Sequence, residues 1–541
     1  MSGIAGRART FFEARPLAVD GALAGFATLV AALLRLIRLG DIPYGVHPDE
    51  AGIALDAVRI TEHGWIGVYS HAALGIPTLN SYLMAPGIAA FGRTAFAMRL
   101  DLAIVGLAAV PLLYALVRVS YGRAEASFAA LLLAVSYWHL FYSRIAHMSI
   151  SYPTLLLGAL LCITVGEERG GRAQLALFAA AGALLGLSVY AYNVGAIAPL
   201  AVGAYLAVLT VTHYRSRAAW RRWWPSLAVC LAAAVIVTLP FLWYISDPHA
   251  YFWEHIRTYR DVGVTRTPEY RAADLAGKAR IIADQLRTFA ATYLWRGQLD
   301  YVDASGQRPI FDPASIALIA SGLVLAFRRR GERMVMMAAC CMVVVPLPAL
   351  LQQGSMMREP LGAAPSVMFV AALPLAALWR QATGVRLRLG AAALACAALL
   401  PVAGIGAITI HDYFWTWRYS TPTRFVYHQE ITSASLFMRT LPADAYVLLY
   451  SDRHPLSLET RRFLSPDTLG EDRSREFSGA DAAIYAPKWN GPVVYILLGD
   501  YLPLLGAIER RYPGGTEHTA RHDGLVDFYA YEIDGRTVAA R

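Results

Sequence analysis

Long apolar stretches dominate the chain and constrain its fold more than any other feature. A helix needs about 20 mainly apolar residues to cross a bilayer, and eleven stretches approach that length: 17–39, 97–117, 124–140, 152–165, 175–192, 195–212, 227–244, 315–327, 334–351, 364–378 and 389–410. A hydrophobic share of 57% and a mean hydropathy of +0.42 agree with this pattern. The sequence therefore predicts an α-helical polytopic membrane protein with about eleven transmembrane helices.

The placement of arginine predicts the orientation of these spans, because cytoplasmic loops are enriched in positive charge. With the N-terminus inside, eighteen arginines fall in cytoplasmic segments, and only Arg59, Arg93, Arg144 and Arg358 fall in the short outer loops. An odd number of spans puts the termini on opposite sides. We therefore expect a cytoplasmic N-terminus and large outer loops at 40–96 and 245–312.

The composition changes at residue 411, where charged residues return and short apolar runs alternate with polar helical patterns. Strands are predicted at 445–450, 493–498 and 528–533, and helices at 432–439 and 502–511. This predicts two domains: a membrane domain over 1–410 and a small extracytoplasmic α/β domain over 411–541. The second domain has no Gly-x-Gly-x-x-Gly motif, so we expect it to cap and shape an outer cavity rather than to bind a nucleotide.

Several other function classes are excluded or disfavoured by residue usage. The two lysines, Lys278 and Lys488, are not followed by Ser or Thr, so the chain has no phosphate-binding P-loop. All five cysteines lie in apolar runs without metal or disulfide spacing. The apolar run 17–39 is too long for the core of a signal peptide, so we interpret it as the first span.

A short polar stretch, Gly-Val-His-Pro-Asp-Glu-Ala-Gly at 45–52, follows the first span. Pro48 favours an extended residue before it and a helix start after it, which places Asp49 and Glu50 in a first helical turn near free backbone N–H groups. Acidic residues are common there, so a plain helix cap is one interpretation. The other is a fixed, ionised carboxylate pair at the outer face of the membrane.

A carboxylate pair after a first span, followed by a long polar loop and many further spans, resembles the Asp-Glu motif of the GT-C glycosyltransferases. The closest likeness is to the branch of protein O-mannosyltransferases and lipid A aminoarabinose transferases, or glycosyltransferase family 39. Further similar segments are 77–92 with Met98-Arg99-Leu100, the Ser-Arg step at 143–144, 306–313 and Arg358. Glu359 departs from the Arg-Tyr of that branch, and no lysine occupies the first outer loop.

The resemblance implies an inverting membrane glycosyltransferase that uses a polyprenyl-phosphate-linked sugar on an extracytoplasmic lipid, glycan or protein. Asp49 would be the acceptor-side carboxylate, with Glu50 as its partner. Arg144 and Arg358 would bind the donor phosphate, with Arg59 or His71 replacing the missing lysine. An arginine that snorkels to the interface is the alternative for Arg144 and Arg358. His47, Tyr69, His147 and Arg296 are weaker candidates for lining the cavity.

The glycosyltransferase interpretation requires no cofactor, and the sequence indicates no metal site. His47 beside two carboxylates nevertheless makes a divalent metal possible. The rival hypothesis is a polytopic transporter or a flippase for lipid-linked sugars. Transporters place ionisable groups near the bilayer midplane, whereas the polar residues here gather at the outer ends of the spans. We expect the chain in the inner (plasma) membrane of a bacterium and no nucleic-acid partner.

Overall fold

The fold is taken from a computed structural model, which describes residues 16–538 except 260–262, 298–301, 303–305, 307, 352–356, 385–387, 480–483 and 486. The chain divides into two compact units. The first unit comprises Met1–Ile37, Gly67–Leu83 and Leu100–Trp415, and the second comprises Arg38–Ile66, Met84–Arg99 and Thr416–Arg541. Each unit is therefore built from separate pieces of the chain.

The first unit is helical, apart from a small hairpin of strands β1 (Tyr69–Ser70) and β2 (Ile76–Pro77). Its helices are Pro16–Leu36, Arg123–Val135, Tyr137–Arg144, Ser151–Arg169, Gly171–Ser188, Ile197–His213, Arg217–Ile245, Tyr251–Tyr259, Pro268–Ala272, Leu275–Leu294, Pro313–Arg328, Arg333–Val344, Leu347–Leu351, Ala364–Gly384 and Arg388–His411. Two further helices, Leu79–Phe91 and Ala95–Ser120, contribute residues to both units.

All eleven stretches predicted to span a membrane lie on helices. Within the described part of the chain, eight helices are long and apolar enough to cross a bilayer, and the pair Arg123–Val135 and Tyr137–Arg144 meets the same test with a bend of 53°. The other two, Ile197–His213 and Pro313–Arg328, have 17 and 16 residues. Since a helix rises about 1.5 Å per residue, these two are somewhat shorter than the roughly 30 Å hydrocarbon core.

Small residues allow close packing between helices Gly171–Ser188 and Arg217–Ile245. A Cβ atom on Gly182 would lie 2.0 Å from the carbonyl oxygen of Cys230, and one on Gly186 would lie 2.7 Å from Cβ of Val237. Without a hydrophobic driving force between helices in lipid, such close backbone approach supplies much of the packing energy. The four-residue spacing of these glycines therefore defines one helix-packing face.

The second unit contains a five-stranded mixed sheet formed by the C-terminal part of the chain. Its strands are β3 (Tyr446–Tyr450), β4 (Leu469–Asp472), β5 (Pro492–Leu497), β6 (Thr516–His522) and β7 (Leu525–Asp534), in the order β4-β3-β5-β7-β6. Strand β3 runs parallel to β4 and β5, whereas β7 is antiparallel to β5 and β6. The three predicted strands correspond to β3, β5 and β7, so the predicted α/β character is confirmed.

Helices cover both faces of this sheet. The helices of the second unit are Pro48–His63, Thr421–Val426, Gln429–Met438, Glu459–Leu464, Arg475–Ser478, Leu505–Arg511 and Gly535–Val538. One core includes Ile431 and Met438 with Val447 and Ile496, and the other core includes Ile508. Strands β3 and β5 are apolar at every position. Because successive strand residues point to opposite faces of the sheet, these two strands supply side chains to both cores.

A buried carboxylate joins β7 to the helices of the second unit. Asp527 is fully buried and accepts hydrogen bonds from Arg424 at 3.0 Å, Gln429 at 2.8 Å and Ser433 at 2.6 Å. His522 lies 2.7 Å from the same carboxylate. Charge-assisted hydrogen bonds of this kind satisfy a buried charge that would otherwise destabilise the fold.

Two histidines face each other in the same unit and are held neutral. Nδ1 of His428 lies 3.4 Å from Nδ1 of His454, and His454 is fully buried. Burial, with smaller effects of His454, His47 and Arg453, lowers the pKa of His428 to about 2, and burial with the charge of Arg453 lowers that of His454 to about 3. His428 also has a left-handed backbone with φ 50° and ψ 48°, a conformation in which His and Asn are enriched among residues other than glycine.

The variant Asp527→Asn should destabilise the second unit by about 3 kcal/mol, because it removes the buried charge that Arg424 and His522 pair with. The measurement is the melting temperature of the full-length protein in detergent. The matched control is Asp534→Asn, which removes an exposed partner of Arg536 and should leave the melting temperature unchanged. Equal melting of both variants would contradict the assigned role of Asp527.

The stability of the second unit should fall as the pH falls below about 6.5. Below that pH, His428 and His454 become protonated in the unfolded state but stay neutral in the folded state. This difference lowers the free energy of unfolding by up to about 1.4 kcal/mol per pH unit for each histidine. Burial raises the pKa of Glu430, so proton uptake by that carboxyl offsets part of the loss. Melting temperatures between pH 7 and pH 4.5 measure the slope.

His428→Asn should flatten this slope, since asparagine tolerates the left-handed backbone and does not titrate. The exposed His249 provides the control, because His249→Asn should retain the wild-type slope. A slope that His428→Asn leaves intact would assign the pH dependence to other groups.

Candidate functional site

The helix that carries the predicted carboxylates begins at Pro48, as the sequence predicts. His47 caps it in the extended conformation: Nδ1 of its imidazole accepts the backbone N–H of Asp49 at 3.2 Å. The side chain of Glu50 accepts the backbone N–H of His47 at 3.1 Å. This is a capping box in which histidine takes the place of the usual Ser or Thr.

Glu50 is buried and forms a bidentate ion pair. Nε and Nη2 of Arg99 each donate to its carboxylate at 3.0 Å, and the two side chains are 4% and 0% exposed. The same guanidinium donates to the carbonyl oxygens of Leu39, Pro43 and Gly45. Arg99 thus fixes the loop in front of the helix, a role that the sequence did not indicate, although Arg99 lies in a segment that resembles the family.

The adjacent carboxylate, Asp49, has a different environment. Its side chain is 41% exposed, and its carboxylate lies 3.7 Å from Nδ1 of His47. Neighbouring residues on a helix point about 100° apart, so burial of Glu50 leaves Asp49 turned away from the ion pair. The two predicted catalytic carboxylates therefore separate into one buried anchor and one accessible group.

The loop before the helix is held by the C-terminal part of the second unit. The N–H of Val46 donates to Oγ1 of Thr432 at 3.0 Å, and Oγ1 of Thr460 donates to the carbonyl of Val46 at 3.0 Å. A Cβ atom on Gly45 would lie 1.9 Å from the carbonyl oxygen of Tyr427, so only glycine fits there. These contacts fix the start of the motif.

Arg144, a predicted phosphate-binding residue, lies in the first unit and is fully buried. Its guanidinium donates to the carbonyl oxygens of Leu34, Arg35 and Ile37 at 2.8–2.9 Å. These are carbonyls at and just beyond the end of helix Pro16–Leu36, which lack helical partners. The guanidinium also lies over the ring of Phe414, 4.8 Å from its centroid. This arrangement gives Arg144 a capping role, and phosphate binding by Arg144 stays a prediction.

Arg358, the other predicted phosphate-binding arginine, is half-buried in the first unit. Its Nη1 lies 3.4 Å from Nε2 of His147, which was predicted to line the cavity. The imidazole of His147 contacts the rings of Tyr142 and Tyr192 edge-on, with centroid separations of 5.7 and 5.8 Å. The structure thus brings together two predicted residues that are 211 positions apart.

The remaining predicted residues are distributed over both units. In the second unit, Arg59 pairs with the buried Asp56 at 3.2 Å. In the first unit, His71 stacks on Tyr251 with a centroid separation of 3.8 Å, and Tyr69 is buried beside Tyr244. The side chain of Arg296 is exposed.

Among the described residues, no group of three or more His, Cys, Asp or Glu side chains is arranged to hold a metal ion. His47, Asp49 and Glu50 do not form such a group, because the carboxylate of Glu50 is occupied by Arg99. Metal independence stays a prediction that assays must test.

Comparisons with known proteins agree with this architecture. A family model described as dolichyl-phosphate-mannose-protein mannosyltransferase matches residues 76–244. This range includes Arg144 and His147 but neither Asp49 nor Arg358. No curated protein sequence matches the chain.

Solved structures match nearly the whole chain at low identity. ArnT from Cupriavidus metallidurans, in the apo state, is 13% identical with a TM-score of 0.52, covering 94% of this chain and 97% of ArnT. ArnT bound to undecaprenyl phosphate gives the same identity and TM-score, with 95% and 98% covered. The oligosaccharyltransferase AglB from Archaeoglobus fulgidus, in complex with an inhibitory peptide and a dolichol-phosphate, is 13% identical with a TM-score of 0.53, covering 95% of this chain and 74% of AglB. The chain therefore has the fold of the GT-C membrane glycosyltransferases that its sequence resembles.

Proposed function

We propose that the chain is a membrane glycosyltransferase that transfers a sugar from a polyprenyl-phosphate donor to an extracytoplasmic lipid, glycan or protein. The fold, and the family model over residues 76–244, support this class. The main observation behind the proposal is that Asp49 and Glu50 have different environments. A buried ion pair fixes the helix start and leaves one carboxylate accessible for the acceptor.

In this proposal Asp49 orients the acceptor and removes its proton. The acceptor oxygen attacks the anomeric carbon of the donor while the bond from that carbon to the phosphate oxygen breaks. The electron pair of the broken bond stays on the phosphate, which gains negative charge and needs cationic donors. Arg144 and Arg358 are the candidates for this role, and the guanidinium of Arg144 also holds three carbonyl groups. A single displacement inverts the anomeric centre.

The solved structures with a similar fold suggest the class of donor. One was solved bound to undecaprenyl phosphate and another with a dolichol-phosphate and a peptide. We infer that this chain also uses a polyprenyl phosphate as its sugar carrier. The arginine distribution supports a cytoplasmic N-terminus, with Asp49 and the C-terminal sheet outside the cytoplasm. We infer that the membrane is the inner membrane of a bacterium.

The variant Asp49→Asn should lower turnover at least about 100-fold, as expected for loss of a general base, without changing the melting temperature. The assay offers the protein in lipid nanodiscs a panel of polyprenyl-phosphate sugars with extracted envelope acceptors. Mass spectrometry follows donor consumption and product formation.

The matched variant is Glu50→Gln, which leaves the guanidinium of Arg99 buried without its counter-charge. It should destabilise the second unit by about 3 kcal/mol, so its loss of activity should be accompanied by a lower melting temperature. Wild-type turnover in Asp49→Asn would remove the assigned role of Asp49. Donor binding without transfer, under all conditions, would favour the flippase hypothesis.

Transfer should persist in excess EDTA, because the carboxylate of Glu50 is held by Arg99 and the described residues contain no cluster of three metal-binding side chains. Initial rates after dialysis against EDTA, and after adding back Mg²⁺, Mn²⁺ or Zn²⁺, provide the measurement. A rate that collapses with EDTA and recovers with one cation would contradict this prediction.

A further inference from the structure

A turn in the second unit places an arginine at the boundary of the membrane. Helix Leu79–Phe91 ends just before Gly92, whose φ of 70° lies in the left-handed region that glycine adopts without strain. The span Ala95–Ser120 begins shortly after this glycine. Because Arg93 lies between the glycine turn and the start of the span, it is at the level of the lipid headgroups.

Exposed aromatic side chains surround this turn. Trp65, Phe91 and Phe96 are 72%, 53% and 36% exposed, and the rings of Phe91 and Phe96 meet edge-on with a centroid separation of 5.4 Å. Exposed aromatic residues near the end of a span are typical of the interface between a bilayer and water. They indicate that the part of the second unit around Arg93 contacts lipid.

A cavity of about 460 Å³ in the second unit is lined in part by Arg93. The buried part of its lining includes Met438, Ala445 and Val447, which belong to one core of the sheet and are 4%, 4% and 0% exposed. The exposed part includes Arg439. An apolar interior with a charged rim matches an amphiphilic ligand better than a small free ion.

The two arginines of the lining are oriented by contacts with the protein. Nη1 of Arg439 donates to the carbonyl oxygen of Arg93 at 3.0 Å, and Nη2 of Arg93 donates to the carboxylate of Glu62 at 3.3 Å. The side chains of Arg93 and Glu62 are 27% and 50% exposed, and an ion pair with such exposure contributes little stability. A phosphate would therefore keep these contacts and replace water on the solvent side of both guanidinium groups.

A carboxylate lines the same cavity. Asp467 is exposed and adds a negative charge to a lining that already holds Arg93 and Arg439. Charges of both signs are complementary to a zwitterion, since the phosphate of such a headgroup pairs with guanidinium and its ammonium pairs with carboxylate. A headgroup with a phosphate and no amine would leave Asp467 without a partner.

We propose that this cavity binds a phospholipid of the surrounding bilayer whose headgroup carries a phosphate and a primary amine, as in phosphatidylethanolamine. The phosphate contacts Arg93 and Arg439, the ammonium contacts Asp467, and the buried apolar lining takes the first carbons of the acyl chains. The bound lipid anchors the second unit to the bilayer. This role is independent of sugar transfer.

Two substitutions separate recognition of the phosphate from recognition of the amine. Arg439→Gln removes a charge at the exposed rim, and Asp467→Asn removes the carboxylate with little change of shape. The control is Arg510→Gln, at an exposed arginine outside the cavity lining. Because all three residues are exposed, the melting temperatures of the variants should equal that of the wild type.

The experiment is native mass spectrometry of the full-length protein in detergent, titrated separately with dioleoyl phosphatidylethanolamine, dioleoyl phosphatidylglycerol and dioleoylglycerol. The wild type should bind phosphatidylethanolamine most tightly. Arg439→Gln should raise its Kd about tenfold, as expected for one lost hydrogen bond to a charged group, and leave dioleoylglycerol binding unchanged. Asp467→Asn should raise the same Kd about threefold, as expected for an exposed ion pair, without weakening phosphatidylglycerol. Arg510→Gln should have no effect.

Wild-type affinity for phosphatidylethanolamine in Arg439→Gln would overturn the proposal, and weaker binding of dioleoylglycerol in that variant would overturn it by showing a general disturbance. Equal binding of both phospholipids by the wild type and by Asp467→Asn would reject the zwitterionic headgroup. Displacement of the lipid by an equimolar amount of inorganic phosphate would show an ion site and reject the lipid. Because the readout is lipid binding, these outcomes do not depend on whether the chain transfers a sugar.

Discussion

Buried guanidinium groups need acceptors, and three of them determine the course of the chain from the first apolar helix to the carboxylate motif. Arg35 and Arg144 are fully buried in the first unit, where they bind carbonyl groups at Ala31, Leu34, Arg35 and Ile37. In the second unit, Arg99 binds the carbonyls of Leu39, Pro43 and Gly45 and the carboxylate of Glu50. The carbonyls of a helix end have no partners within the helix, and the planar, five-donor guanidinium can satisfy several at once. Lysine offers a smaller, more strongly hydrated charge, which fits less well in such positions.

The motif is positioned by residues that are distant in sequence. Val46 is bonded to Thr432 and Thr460, 386 and 414 positions away, and Gly45 lies directly against the backbone of Tyr427. The helix Gln429–Met438, which carries Thr432, is in turn tied to strand β7 through Asp527. The C-terminal part of the second unit, which was predicted to cap an outer cavity, has a buried polar network that supports the loop from which Asp49 extends. A change in that network should reach Asp49 through a few short, rigid connections.

The sequence identified elements whose signal is local and missed those that depend on context. Apolar length located all eleven helical stretches, and short apolar runs located β3, β5 and β7. Strand β6, Thr516–His522, lies at the sheet edge and is mostly polar, so it lacks the apolar signal of a buried strand. Strand β4 is short and contains only one strongly apolar residue, Leu469. Both segments form strands because their backbone groups pair with those of a neighbouring strand. A local sequence pattern does not show this pairing.

At the candidate site, the sequence predicted which residues are present better than it predicted the role of each residue. The sequence placed Asp49 and Glu50 in a first helical turn, but it could not tell which one is buried, because that depends on Arg99, 49 positions away. Arg144 and Arg358 had equivalent signals, each an arginine at the end of an apolar segment. Their roles separate through their surroundings: Arg144 meets the carbonyls at a helix end, whereas Arg358 faces a histidine whose other nitrogen is already occupied. A guanidinium that is bound to three carbonyl groups has fewer donors left for a substrate, so burial and carbonyl contacts, rather than position in the sequence, distinguish a structural arginine.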